Sequence, residues 1–335
     1  MLNKTVGIVG SGIAGLMCGQ LLKEAGHSVF LVDKGRRAGG RMSTRNREPW
    51  QWDHGAQYFT VRDQRFTPYI NAWKEKAVVS EWFDLLPGQS PEKKEARYIG
   101  INGMNVIPQH LSLGLNIYQS MCVEKLHYED SIWQLVMKSG EILSCQELVL
   151  TPPLPQVVSL LQGSNLLNQL KEGASLASVE YEKGLSLLLV LDKPCTIPYP
   201  GCLKLESGPV SWIADNSQKE GFSDQYCITV NANPQYADET WNDDNNEVAE
   251  GIIKSIEPLL GSSVVDWHIH RWLYAFAKNP LKIPFYSDED MHISIAGDAF
   301  LSSRVESAAM SGLSAAEALI KSCLLYTSDA ADDGL

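Results

Sequence analysis

The chain has no excess of basic residues, no cysteine pair with metal-ligand spacing and no uninterrupted hydrophobic run of membrane-spanning length. Each absence excludes a class of function. Its 28 Lys+Arg stand against 40 Asp+Glu, a formal net charge of −12, which repels a nucleic-acid backbone and an anionic membrane surface. Neither nucleic acid nor membrane is expected as a partner. Seven cysteines, at 18, 122, 145, 195, 202, 227 and 323, form no Cys-x-x-Cys pair and no Cys/His cluster with zinc spacing, so no metal site is expected. An odd, scattered set in a chain of 335 residues is the pattern of a reduced, cytoplasmic protein. Thr5 to Leu22 carries no charge, but five glycines (Gly7, Gly10, Gly12, Gly15 and Gly19) interrupt it, and Lys23-Glu24 follow without a small-residue cleavage pattern. The run Leu185 to Leu191 is bounded by Lys183 and Asp192 and has strand length. These features argue against a signal peptide and a membrane span, so neither is expected, and no internal repeat is seen.

What the chain does have is a globular composition, 44% hydrophobic and 20% charged, with length for about two domains. Thr5 to Val9, Ile13 to Ala25 and Ser28 to Val32 read as a β-α-β unit with a parallel strand pair. Arginine-rich sequence to Arg65 and mixed segments through Arg97, with Pro87, Gly88 and Pro91, read as insertions or loops. Short strands follow (Asn116 to Val123, Trp133 to Met137, Leu148 to Leu150), and Thr151-Pro152-Pro153 reads as a domain crossing. Beyond it, helical stretches (Gln156 to Leu161, Glu247 to Leu260) mix with strands (Leu185 to Leu191, Val210 to Ala214, Tyr226 to Asn231, Val264 to Phe276). A buried strand, Ile293 to Ala296, and a helix from about Val305 to Lys321 close the pattern.

The chemistry is carried by a series of motifs. Gly10-Ser11-Gly12-Ile13-Ala14-Gly15 lies between the first strand and the first helix, and Asp33 ends the second strand. Glycines there allow a tight turn and close approach of a pyrophosphate to the helix N-terminus, and the aspartate can accept from a ribose hydroxyl. The loop alone does not choose between FAD and NAD. After Lys34, the double glycine Gly39-Gly40 and Arg41 place a cation where it can neutralise a pyrophosphate. Asp53-His54-Gly55-Ala56-Gln57-Tyr58-Phe59 is too irregular for plain core, and Gly103-Met104 precedes a short helix, Asn105 to Leu111. Ala296-Gly297-Asp298 follows the last strand, with Asp298 placed to accept from a ribityl hydroxyl. Small residues from Val305 to Gly312 then leave room for a ring or phosphate chain.

This ordered series resembles the FAD-containing amine oxidase superfamily, and most closely its renalase-like group, over nearly the whole chain to about Lys321. The resemblance implies an α/β fold, with a doubly wound, FAD-binding Rossmann-type domain and an interleaved α+β substrate domain on a mixed sheet. The FAD-binding domain is expected over 1–65, 98–153 and 286–322, and the substrate domain over 66–97 and 154–285. Residues 323–335, which lack periodicity, are expected to be a non-native or disordered tail. By position, the resemblance puts Gly10, Gly12, Ile13, Ala14 and Gly15 in the pyrophosphate loop and Asp33, followed by Lys34, at the adenosine ribose. It puts Gly40 and Arg41 at the pyrophosphate, Gln57 and Tyr58 near the flavin, and the backbone of Val123 at the adenine. Gly297, Asp298 and the helix beginning near Val305 then hold the ribityl chain and face the pyrimidine edge of the ring. Many superfamily members carry Glu where this chain has Asp33; renalase-like proteins tend to have Asp.

On the substrate side, Trp267 to Phe276 reads as a strand with His268, His270, Trp272, Tyr274 and Phe276 on one face. Such a face suits a flat heterocycle beside a flavin, or else a sheet packed under a helix with its histidines satisfied. Trp212 and Asn231 are further wall candidates. His270, Trp272, Tyr274 and His54 are the candidate catalytic residues, and no motif matches the lysine that superfamily amine oxidases often place near the flavin. The resemblance implies oxidation of aberrant dihydropyridine isomers of NAD(P)H to NAD(P)+, with O2 reduced to H2O2. An oxidase or desaturase acting on an amine or lipophilic substrate, and an FAD- or NAD-binding regulatory module without turnover, remain open alternatives at this point.

Overall fold

The structure, a computed structural model, describes residues 3–222 and 226–332, with side chains through 323. Backbone contacts divide the chain into Met1–Gly40 with Pro108–Glu180 and Ala277–Leu335, and Arg41–Ile107 with Tyr181–Phe276. The expected boundaries differ from these at 41–65 and 98–107, which belong to the second unit, and at 154–180 and 277–285, which belong to the first; packing shows the reason for 41–65 and 154–180. Trp52 joins Leu188, Val190 and Cys227 in an apolar cluster of the second unit. The helix Leu154–Gly163 stays with the first, where Ser164 Oγ accepts from Leu126 N at 2.9 Å.

In the first unit the strands lie in the order Tyr286–Asp288, Ile293–Ile295, Glu147–Leu150, Thr5–Val9, Ser28–Asp33, Asn116–Gln119. All pair in parallel except the edge strand Tyr286–Asp288. Ile8, Leu31, Val32, Leu148, Val149 and Leu150 are all buried, which is why these strands read as continuous apolar runs rather than alternating ones. The chain passes from Thr5–Val9 to Ser28–Asp33 on one side, while Glu147–Leu150 lies on the other, so the strand order reverses at the end of Thr5–Val9. That is the switch point where doubly wound sheets bind ligands. Val123–Glu129, Ile132–Met137 and Ile142–Cys145 form a separate antiparallel sheet.

The first helix, Ile13–Glu24, packs on the last, Val305–Asp332. A Cβ on Gly312 would stand 2.1 Å from the carbonyl oxygen of Ala14, so the glycine permits two helix backbones to meet. The expectation that small residues there make room for a ring or phosphate chain is therefore corrected at Gly312. The helix also continues to Asp332, through most of the segment expected to be a tail.

The second unit holds a five-stranded sheet ordered Cys202–Lys204, Val210–Asp215, Cys227–Ala232, Tyr181–Leu191, Val264–Ala277. Tyr181–Leu191 alternates: Leu185, Leu187, Leu189 and Leu191 enter one cluster with Val248, Ile252 and Ile256 of the helix Asn245–Leu260. Leu188 and Val190 enter the other, against Trp52, whose Nε1 donates to Leu189 O at 2.9 Å. The segments read as loops are in part ordered. Thr44–Arg47 pairs with Trp50–Asp53, Val79–Phe83 with Arg97–Gly100, and the helix Thr67–Glu75 buries Ile70 and Trp73. Strands of four or five residues with charged exposed positions are too short to show a period. Among the described residues no helix is long and apolar enough to cross a membrane, and no group of His, Cys, Asp and Glu could hold a metal ion.

Candidate active site

The glycines of the first turn serve two different ends. Gly10 has φ +99°, and a Cβ there would lie 2.6 Å from Thr151 Oγ1, while a Cβ on Gly15 would lie 2.1 Å from Gly10 O. These two are required by the protein itself. At Gly12 nothing beyond its own chain neighbours lies within 4 Å of the Cβ position, so the space over this backbone is left open, as close approach by a phosphate needs. Gly12 caps the first helix without a side-chain acceptor, and no acidic residue lies in the first turn beside Ile13 and Ala14. The positive end of the helix thus remains available to an anion.

The surrounding residues fix this turn. Thr151 Oγ1 donates to Val9 O at 2.9 Å and Gly10 O at 3.1 Å. Asp33 Oδ2 accepts from Ser11 N at 2.6 Å and Ser11 Oγ at 2.7 Å, and Oδ1 accepts from Gly35 N at 2.6 Å. With about two acceptor sites per carboxylate oxygen, Oδ1 keeps one for a ribose hydroxyl. Gly39 N donates to Ser11 O at 2.9 Å and a Cβ on Gly40 (φ +55°) would stand 3.7 Å from Gly12 Cα, so the double glycine lies over the first turn. Met121 N donates to Asp33 O at 2.9 Å, which brings the strand beginning at Val123 to the end of the second strand. Lys34 points away, donating to Gln156 Oε1 at 2.9 Å on the surface.

At the other end of this unit, Gly297 (φ +151°) donates its N–H to Ser311 Oγ at 2.9 Å, and buried Asp298 accepts from Ser303 Oγ at 3.0 Å. Val305 begins the last helix. Arg304, just before it, has a buried Nη1 without a hydrogen-bond partner. A cation at a helix start opposes the helix dipole, and an orphaned guanidinium nitrogen there suits a cofactor acceptor atom. The open cradle at Gly12, the remaining acceptor site on Asp33 and this orphaned donor fit a flavin dinucleotide. Sequence reasoning missed Arg304; the visible signal is its charge at a position the dipole disfavours.

The second unit gathers its residues through side chains. Lys219 Nζ and Asp53 Oδ2 are 3.0 Å apart, with both side chains 0% exposed. Asp53 Oδ1 also accepts from Thr44 Oγ1 at 2.7 Å and Met104 N at 2.8 Å. Gln57 closes the network: its Oε1 accepts from Lys219 Nζ at 3.2 Å and its Nε2 donates to Asp53 O at 2.6 Å. Burial pulls the Lys219 pKa below the usual lysine range, and the Asp53 charge opposes that shift. Sequence reasoning found no such lysine, because Ser217-Gln218-Lys219-Glu220 looks like an exposed turn. Tyr58 lies 5.6 Å from the Trp212 ring, and Arg41 Nη1 donates to Ala275 O at 3.1 Å.

The aromatic strand delivers part of its expected face. His54 stacks on Trp272 (5.4 Å, 23°), and His270 meets Trp272 at 4.2 Å and His54 at 4.8 Å. Trp272 Nε1 donates to His54 O at 3.0 Å; Ser186 Oγ donates to the same oxygen and to Asn231 Oδ1, each at 2.9 Å. Tyr274 turns to Tyr181 (5.9 Å), and Phe276 is exposed. Desolvation, with the neighbouring positive charge of Arg45, brings His54 down to about 3 and His270 down to about 4, and lowers His268. All three imidazoles are neutral near pH 7, so His54 and His270 cannot serve there as cationic acids. His54 Nε2 is 3.2 Å from Ser43 Oγ, while its Nδ1 is buried without a partner.

Residues 8–73 match the NAD(P)-binding Rossmann-like domain, and residues 89–320, more than half of the chain, match the flavin containing amine oxidoreductase family. Mouse renalase is 24% identical over 288 residues, covering 80% of this chain and 84% of renalase. Among solved structures, putrescine oxidase bound to putrescine has a TM-score of 0.70 at 14% identity, covering 96% of this chain and 99% of that one. The CLA-producing fatty acid isomerase from P. acnes has a TM-score of 0.69 at 12% identity, covering 93% and 97%. At these identities the structural likeness is one of fold.

Proposed function

The chain belongs to the flavin containing amine oxidoreductase family and is an FAD-dependent oxidoreductase, and on that premise we propose that it oxidises a dihydropyridine, an aberrant isomer of NAD(P)H. In the proposed reaction the isomer, one proton and O2 give NAD(P)+ and H2O2. The observation that carries this reading is the uncharged aromatic face of Trp272, His270 and His54. A dihydropyridine is flat and becomes a cationic pyridinium when it loses hydride. Neutral imidazoles and an indole accept that ring by stacking and do not repel the developing charge, as imidazolium would. The likeness to mouse renalase over 80% of the chain supports the renalase-like resemblance from which this substrate class is inferred.

Bound FAD supplies the hydride acceptor and the two-electron route to O2. In this reading the turn from Gly10 to Gly15 and the start of the first helix bind the diphosphate. Asp33 takes the adenosine ribose and Val123 the adenine; Asp298, Arg304 and the start of the last helix take the ribityl chain and ring edge. The resemblance assigns Gln57 and Tyr58 to the flavin's surroundings, and within the second unit Gln57 is held in one orientation by Lys219 and Asp53. The resemblance assigns Arg41 to the diphosphate as a cation; within the second unit its Nη1 is pinned to the end of the aromatic strand. Because the substrate donates hydride and surrenders no proton, orientation is the main task of the side chains and no general base is required. The first unit is thus the FAD-binding domain and the second the substrate domain. The seven unpaired cysteines support a cytoplasmic location.

Anaerobic mixing tests the substrate directly. Dihydropyridine isomers of NADH or NADPH should bleach the flavin absorbance with NAD(P)+ as product. Bleaching by an amine and by none of the isomers would overturn the reading in favour of amine oxidation.

A further inference from the structure

Beside the aromatic face, the second unit contains a cavity of about 250 Å³ lined by Arg45, Trp52, Leu188, Val190, Trp267 and His268 among others. Hairpin geometry creates it. Arg45 pairs across the strands with Trp52, and Arg47, two residues on, shares the Arg45 face. The two arginines differ in their electrostatic situation. Arg47 is held by Asp266 at 2.7 Å, whereas the Arg45 side chain has no hydrogen-bond or ion-pair partner among the described residues. Two cations against one carboxylate leave one net positive charge, and the adjoining His268 does not cancel it. His54, His268 and His270 all feel the positive charge of Arg45.

We propose that this cavity is a binding subsite for the phosphate-bearing end of a nucleotide substrate, with Arg45 as its anion-binding residue. A guanidinium fork matches phosphate oxygens two at a time, which an ammonium cannot do. Trp52, Leu188 and Val190 form the buried floor of the same cavity, and half-buried Trp267 is the aromatic side chain open to a base or ribose. Its size decides how much of a ligand enters. Pockets for whole drug-sized ligands run from about 300 to 1,000 Å³, so this one takes one end of a dinucleotide. His268 and Trp272 are four residues apart on one strand, roughly 13 Å at about 3.3 Å per residue, which leaves a flat ring on Trp272 and a phosphate at Arg45 as separate parts of one elongated molecule. The nucleotide identity rests on the dihydropyridine reading above; the anion specificity rests on the cavity alone.

Calorimetric titration of fully flavin-loaded protein, in which the cofactor fills its own ADP site, separates the two. The probes are 2′,5′-ADP, 5′-ADP and adenosine. Both ADP species should bind at least tenfold tighter than adenosine, and the tighter of the two identifies a 2′-phosphate or a diphosphate as the natural group. Arg45→Gln should weaken the ADP species at least tenfold, leave adenosine unchanged and retain full flavin absorbance. Arg47→Gln should weaken them less, since Asp266 already holds that charge. Equal ADP affinity in wild type and Arg45→Gln, or no binding of either ADP, overturns the subsite. Arg45-dependent ADP binding in a protein whose flavin no dihydropyridine bleaches would uphold the anion site and reject the substrate reading.

Discussion

The first unit builds its dinucleotide turn from backbone held by one carboxylate, the second its buried network from side chains, and the contrast decides what each tolerates. In the first, Gly10, Gly12, Gly15 and Asp33 act through turn geometry, open space and amide groups over a short stretch of chain. In the second, Asp53 and Lys219 meet from positions 166 residues apart, and Gln57, Thr44 and Met104 close around them. A backbone site fails when a Cβ is added. A buried side-chain network fails when one member is removed.

The largest expected effect follows from that second rule. Lys219→Met leaves the Asp53 carboxylate buried without its counter-charge, and should cost about 3–5 kcal/mol in urea denaturation. Adding Asp53→Asn should recover much of the loss. A single-variant cost below about 1 kcal/mol, within the range of exposed pairs, would show that the pair is solvated and remove the contrast. Gly312→Ala probes the backbone rule away from the cofactor. A Cβ 2.1 Å from Ala14 O must push the two helices apart, costing about 1–3 kcal/mol. An unchanged denaturation midpoint would mean the helices have slack.

The smallest effect is graded with pH. His54 and His270 hold pKa values of about 3 and about 4 in the folded protein against 6.5 unfolded, so between these values the unfolded chain binds protons that the folded chain does not. Their contribution is fully present above 6.5 and is lost as pH falls toward the folded values. The loss is at most ~1.4 kcal/mol per pH unit for each histidine, and less for the more exposed His270. Urea midpoints measured against pH should therefore slope downward on the acid side, and His270→Asn should flatten the slope. An identical slope in that variant would place the titration elsewhere.

Legibility in the sequence follows the same division. The strand Thr5–Val9, the turn to Gly15 and the helix from Ile13 were readable because a contiguous period and a fixed glycine spacing encode them. Lys219 was not readable, since nothing local distinguishes a lysine in a polar turn from one enclosed by Trp82 (4.9 Å), Asp53 and Gln57. Nor was the hairpin from Thr44 to Asp53, whose four-residue strands carry too little alternation to separate Arg45 and Trp52 from a solvated basic loop. Gly312 carried a real signal with a different cause, close helix packing rather than room for a ligand. Along Trp267–Phe276 the period correctly joined His270 to Trp272, but the partner His54 came from another segment, and Tyr274 was claimed by Tyr181.

The most direct test of a backbone-built cofactor site is Gly12→Val. Because nothing beyond its own chain neighbours lies within 4 Å of a Cβ at this position, the variant should fold, with the circular dichroism of the wild-type apoprotein. It should nevertheless be colourless after purification and after incubation with excess FAD, because the new side chain occupies the space left for the diphosphate. Gly15→Ala, whose Cβ would meet Gly10 O at 2.1 Å, should instead disturb the turn itself. Folded Gly12→Val protein with full flavin occupancy would contradict the account.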